Sequence, residues 1–141
     1  MKNIISRKNK GTGLVNEINA TLVEMMPGQD NFEIATLLRN TILVSSLLFN
    51  SKTWFGLTNK EITLLEKVDE NLQHKVLNCS SKTPRYLMYL DLGWTPLRFI
   101  IQSRRMNFLK YILDQKESSL LRRAFNKQKN KPKTWRLDYT N

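Results

Sequence analysis

Thr95-Pro-Leu-Arg-Phe-Ile-Ile-Gln-Ser-Arg-Arg-Met-Asn-Phe-Leu-Lys-Tyr-Ile-Leu113 decides the fold class. Thr95 suits a helix N-cap, and Pro96 stands at the first helical position, where its missing amide hydrogen costs nothing. At 100° per residue Leu97, Ile100, Ile101, Phe108, Tyr111 and Ile112 share one face. Phe99, Met106, Leu109 and Leu113 cover much of the rest. A helix apolar on two sides is normally enclosed by its neighbours, so this segment is expected at the centre of a bundle.

The flanking segments carry the same period. Leu14, Ile18, Leu22, Met25 and Met26 predict a first helix from about Gly13 to Met26, ended by Pro27-Gly28. Asp30-Asn-Phe-Glu33 forms a capping box. The helix it opens carries Ile34, Leu37, Leu38, Ile42, Val44, Leu48 and Phe49, with Glu33, Arg39 and Asn40 as a narrow polar stripe. Thr58-Asn-Lys-Glu61 is a second box, ahead of an amphipathic helix with Ile62, Leu65, Val68, Leu72 and Val76 on one face. Thr83-Pro84 opens a short helix that Gly93 closes. Ser118 or Ser119 caps a last one, with Leu120, Leu121, Ala124 and Phe125 facing inward. No strand pattern occurs, so the expectation is all-α. It is a compact bundle of five to six helices within residues 13–128, between a basic segment 1–12 and a basic flexible tail 129–141.

The chain of 141 residues is long enough for one domain with a sizeable core. No apolar run suits a signal peptide or a membrane span. One cysteine, Cys79, excludes an internal disulfide and fits a reduced intracellular setting, cytoplasmic or nuclear. Net charge is +11 and unevenly spread. Residues 1–13 hold four basic side chains and no acid, residues 14–97 seven against nine, and residues 98–136 twelve against two. That polarity points to a polyanion, nucleic acid first, although Lys-rich ends can also be merely solvated.

Lys8, Lys10, Arg98, Arg105, Lys110, Arg122, Arg123, Lys127 and Lys129 are the candidate phosphate contacts. Trp54 and Phe55 either stack on bases or form a lid over the core. Asp69 and Arg104 each fall inside an apolar stripe, where charge needs a partner. They either pair across two helices, or Arg104 snorkels outward while Asp69 stays half-exposed.

Catalytic patterns are missing. One histidine, His74, and one cysteine leave out the usual zinc sets and any Cys–His or Ser–His nucleophile arrangement within one chain. Gly11-Thr-Gly13 reads as a turn and lacks the Gly-Lys-Ser/Thr of a phosphate loop. No cofactor is expected, and no enzymatic activity.

Gly11-Thr-Gly-Leu-Val-Asn-Glu-Ile18, Leu38-Arg-Asn40, Asn50-Ser-Lys-Thr-Trp54, Gly56-Leu-Thr58, Leu64-Leu-Glu-Lys-Val-Asp69 and Ser81-Lys-Thr-Pro84 follow one another in order. In that order they resemble reverse transcriptases of non-LTR (LINE-like) retrotransposons. Leu87-Met-Tyr-Leu-Asp-Leu-Gly93, Pro96-Leu-Arg-Phe-Ile-Ile101, Arg104-Arg105 and Phe108-Leu-Lys-Tyr-Ile-Leu113 continue the likeness, which covers roughly residues 7 to 135. The resemblance implies a helical thumb and connection segment, downstream of fingers and palm, resting on an RNA/DNA template–primer duplex. It also implies that the magnesium-binding aspartates lie in the missing palm. Tyr89-Leu-Asp-Leu92 has leucine where the family's Tyr-x-Asp-Asp signature has its second aspartate, so no catalytic residue carries over. Arg85-Tyr86 replaces a usual acidic residue, and the chain stops short after Leu137 to Asn141, as a truncated element copy would. Two other readings stay open: a stand-alone basic helical nucleic-acid binder, and a docking module for the missing palm.

Overall fold

The computed structural model describes residues 2–25, 32–54 and 57–128. The Pro27-Gly28 stop, the Asp30 end of the first capping box, Phe55 and the tail from Lys129 onward lie outside them. The regular elements of the described residues are all helical, with no strand among them: α1 (Lys2–Met25), α2 (Phe32–Leu38), a π turn (Arg39–Leu43), α3 (Val44–Leu47), α4 (Asn59–Leu77), α5 (Arg85–Leu92), α6 (Leu97–Asp114) and α7 (Leu120–Gln128). A 3-10 turn spans Ser51–Thr53. The all-α expectation is met.

Where the sequence suggests one domain, the chain divides into two compact units, Met1–Phe49 with Asn59–Phe99, and Asn50–Thr58 with Ile100–Asn141. In the first, α1 packs along α4 and also touches α2, the π turn and α3, while α5 packs on α4. Leu65, Val68 and Leu72 of α4 and Val15, Ile18 and Leu22 of α1 are buried. Each fully buried aliphatic of this kind contributes about 1.5–3 kcal/mol through water exclusion. The predicted central helix, α6, is not enclosed: it buries Leu97, Ile101 and Ile112 but exposes Phe99, Met106, Tyr111 and Leu113. Apolar residues on two sides of a helix permit enclosure without requiring it.

α1 begins eleven residues before the predicted start, so 1–12 is no separate segment beyond its first residue, and Gly11-Thr-Gly13 is helix, not turn. The glycine at 11 has a packing reason. A Cβ there would stand 2.6 Å from Leu47 Cδ2 and 3.0 Å from Val68 Cγ1, so glycine lets α1 approach both. The π turn also follows from packing. Ala35, Arg39, Leu43 and Leu47 are all buried and spaced four apart. A pure α-helix rotates such a row by about 40° per step, and the wider π turn takes that drift back out.

Caps match the sequence reading elsewhere. Gly93, at φ +65°, closes α5, and Ser119 Oγ accepts from the amide of Arg122 at 3.2 Å to cap α7. The inward face expected for α7 is absent: the helix has no buried residue, and Leu120 is 83% exposed.

Candidate nucleic-acid interface

The candidate cations fall in different places. Lys8 is half-buried and Lys10 exposed on α1 in the first unit. Arg98, in the first turn of α6, donates from Nε to Glu66 Oε1 at 3.3 Å, so a buried carboxylate balances its charge. Arg105 is 7% exposed and cannot serve as a surface phosphate contact. The reason is its row: Ile101, Arg105 and Ile112 fall on the same buried side of α6. Lys129 lies outside the described residues.

The rest gather in the second unit. Lys110, Arg123 and Lys127 are exposed and Arg122 half-buried. The described part of this unit holds eight basic side chains and two acids, Asp114 and Glu117. Arg122 stands out, because its Nε and Nη1 are shielded from water and have no hydrogen-bond partner. Of the turn aromatics, Trp54 is half-buried. Lys52 Nζ stands 5.1 Å above the Phe108 ring, which stacks on Tyr111 at a centroid distance of 6.3 Å.

The first unit contains a buried polar centre that the sequence reading misplaces. Asp69 pairs with Arg39, not Arg104: Arg39 Nε donates to Oδ1 at 3.0 Å and Nη2 to Oδ2 at 2.7 Å. Arg39 belongs to the inward row of the helix from Phe32 to Leu47, and the polar stripe assigned to it is exposed only at Glu33 and Asn40. Its Nη2 also donates to the Thr95 carbonyl at 2.8 Å, and its guanidinium lies 5.0 Å from the centre of the Trp94 ring. Trp94 Nε1 donates to Thr36 Oγ1 at 2.8 Å, and the Tyr89 hydroxyl donates to Asp69 Oδ2 at 3.1 Å. Burial, then the Asp69 charge and hydrogen bond, pushes the Tyr89 phenol far above its ordinary range. Four segments are tied at one point, and the tie is structural in kind.

Beside it, Glu66 accepts from Arg85 as well as Arg98, and Arg85 also pairs with Glu70. Burial raises the Glu70 carboxyl against the pull of Arg85. Glu66, Arg85 and Arg98 line an open groove of ≈ 760 Å³, together with Tyr86, Leu90 and Phe99.

His74 and Cys79, the single histidine and cysteine of the sequence, touch. Sγ lies 3.4 Å from Nδ1, so one histidine and one cysteine do make a Cys–His contact within the chain. A spacing of five across a helix end carries no sequence signal for this, since the terminating turn decides it. Among the described residues no group of three or more His, Cys, Asp and Glu is arranged to hold a metal ion. Among them no helix is long and apolar enough to cross a membrane. Comparison with protein-family models, with curated proteins and with solved structures gives no match.

Proposed function

We propose that this chain binds nucleic acid through backbone phosphates, as the thumb and connection segment of a LINE-like reverse transcriptase, and performs no chemistry alone. The exposed cations of the second unit carry the reading: Lys110, Arg123 and Lys127 are open to solvent, and its described part holds two acids against eight basic side chains. Arg123 and Lys127 stand on α7, which has no buried residue. Exposed guanidinium and ammonium groups suit phosphate oxygens and supply sequence-independent attraction. Nucleotidyl transfer and its magnesium would belong to the palm of the parent polymerase.

The test is binding of a labelled RNA/DNA hybrid across a salt series. The expected result is affinity that falls steeply with salt and is lost in the variant K110E/R122E/R123E/K127E, whose helicity is checked alongside. No binding at low salt, or equal binding by the variant, overturns the reading.

A second reading rests on Phe32, Leu37, Ile42 and Phe49, large apolar side chains exposed between residues 32 and 49. Exposed apolar side chains of this kind suit docking onto the fingers or palm of the same polymerase. Co-expression with those domains, with Leu37→Glu and Phe49→Glu as the disrupting variants, separates docking from phosphate binding.

A further inference from the structure

α4 ends at Leu77, and Asn78, at φ +50°, turns the backbone through the left-handed region. The Cys79 amide then donates to the His74 carbonyl at 3.3 Å, which folds the chain back over the last turn of α4. That turn puts Cys79 Sγ 3.4 Å from His74 Nδ1. From α5, the Sδ of buried Met88 comes within 3.7 Å of the same sulfur. Three soft donors from two helices and the turn between them therefore converge.

The thiol carries one proton, so it can donate to only one neighbour at a time. With Nδ1 in its unprotonated tautomer, a cation in place of that proton satisfies both sulfur and nitrogen neighbours. Two donors on one ion, each roughly 2.0–2.3 Å away, stand roughly 3.3–4.0 Å apart at tetrahedral to trigonal angles. Both observed separations lie inside that window. Thiolate, thioether and imidazole together select a soft ion, and the absence of a carboxylate from the trio disfavours hard divalent ones. An opening of ≈ 290 Å³ that includes His74, Cys79 and Ser81 in its lining gives the ion a way in.

We propose that His74 Nδ1, Cys79 Sγ and Met88 Sδ form a binding site for one soft monovalent cation, Cu(I). Binding forms the copper–sulfur and copper–nitrogen bonds and releases the thiol proton to solvent. Copper stays monovalent, so no oxidant or reductant is consumed. The site is independent of the phosphate-binding reading.

The test is anaerobic titration with Cu(I) against bicinchoninate as competitor. One equivalent is expected to bind the wild-type chain, and Cys79→Ser to bind none. Met88→Leu and His74→Gln each weaken binding by about tenfold or more. Met88→Leu conserves volume, so its fold is retained even if another variant unfolds. X-ray absorption at the copper edge is expected to show two sulfur neighbours and one nitrogen. Failure of the wild-type chain to compete overturns the site. So does wild-type affinity in both Met88→Leu and His74→Gln, which would leave only an ordinary thiol.

Discussion

Arg39 holds Asp69 by two parallel hydrogen bonds, at 3.0 and 2.7 Å, with side chains 2% and 0% exposed. The pair links the π turn to α4, and Thr95 and Trp94 extend it to the segment ahead of α6. Removing one partner strands a charge in the core, which costs about 3–5 kcal/mol, whereas an apolar pair of similar volume can be nearly neutral. Arg39→Met and Asp69→Leu are each expected to lose about that much in urea unfolding. The double variant is expected to lose much less than their sum. Strict additivity would mean that the contact is not the source of the effect.

The Tyr89 phenol is buried against Asp69, and its folded pKa lies well above the ordinary 10.0. The sign follows from proton linkage. Above that ordinary value the unfolded chain gives up the proton while the folded chain keeps it, so stability falls as pH rises. Folded protein is expected to lose stability beyond pH 10 more steeply than Tyr89→Phe. Urea midpoints across alkaline pH, with phenolate absorbance followed alongside, measure this. Equal slopes for the two proteins would contradict it.

Helix existence and most helix ends are legible in the sequence because they depend on local chemistry. Gly93 after α5 and Ser119 before α7 act at the positions their residue types suggest, and α4 and α5 begin directly after Thr58 and Pro84. The errors lie where distant packing outvotes local chemistry. Gly11 reads as a turn former, yet it is a helix position thinned to admit Leu47 and Val68. Arg39 reads as a surface arginine, although its spacing from Ala35, Leu43 and Leu47 places it in the inward row. Asp69 is correctly marked as a charge needing a partner, but a stripe says only that a partner exists. Arg105 fails for the opposite reason: charge alone suggested solvent, and its row with Ile101 and Ile112 decides otherwise. The Cys79–His74–Met88 cluster carries no linear pattern, since one left-handed residue assembles it.

Gln73 is fully buried on α4, and neither its Nε2 nor its Oε1 has a hydrogen-bond partner. A buried amide in that state costs about 1–3 kcal/mol. Gln73→Met keeps the length and lack of branching while removing the polar atoms. The variant is expected to melt about 2–8 °C higher. A lower melting temperature would show that the amide is satisfied after all.

Two glycines of α1 give opposite expectations for the same substitution. Gly13 is exposed, with nothing within 4 Å of an added Cβ, so Gly13→Ala gains helix propensity alone. That is worth about 0.5–1 kcal/mol. Gly11→Ala has the same propensity gain, but its Cβ would meet Leu47 Cδ2 at 2.6 Å and Val68 Cγ1 at 3.0 Å. Both neighbours are themselves buried, so neither can swing into solvent, and overpacking of this kind costs about 1–3 kcal/mol. Gly13→Ala is therefore expected to raise the urea midpoint and Gly11→Ala to lower it. Stabilisation by both would mean that α1 does not approach α3 and α4 as closely as described, and that Gly11 is free to be any small residue.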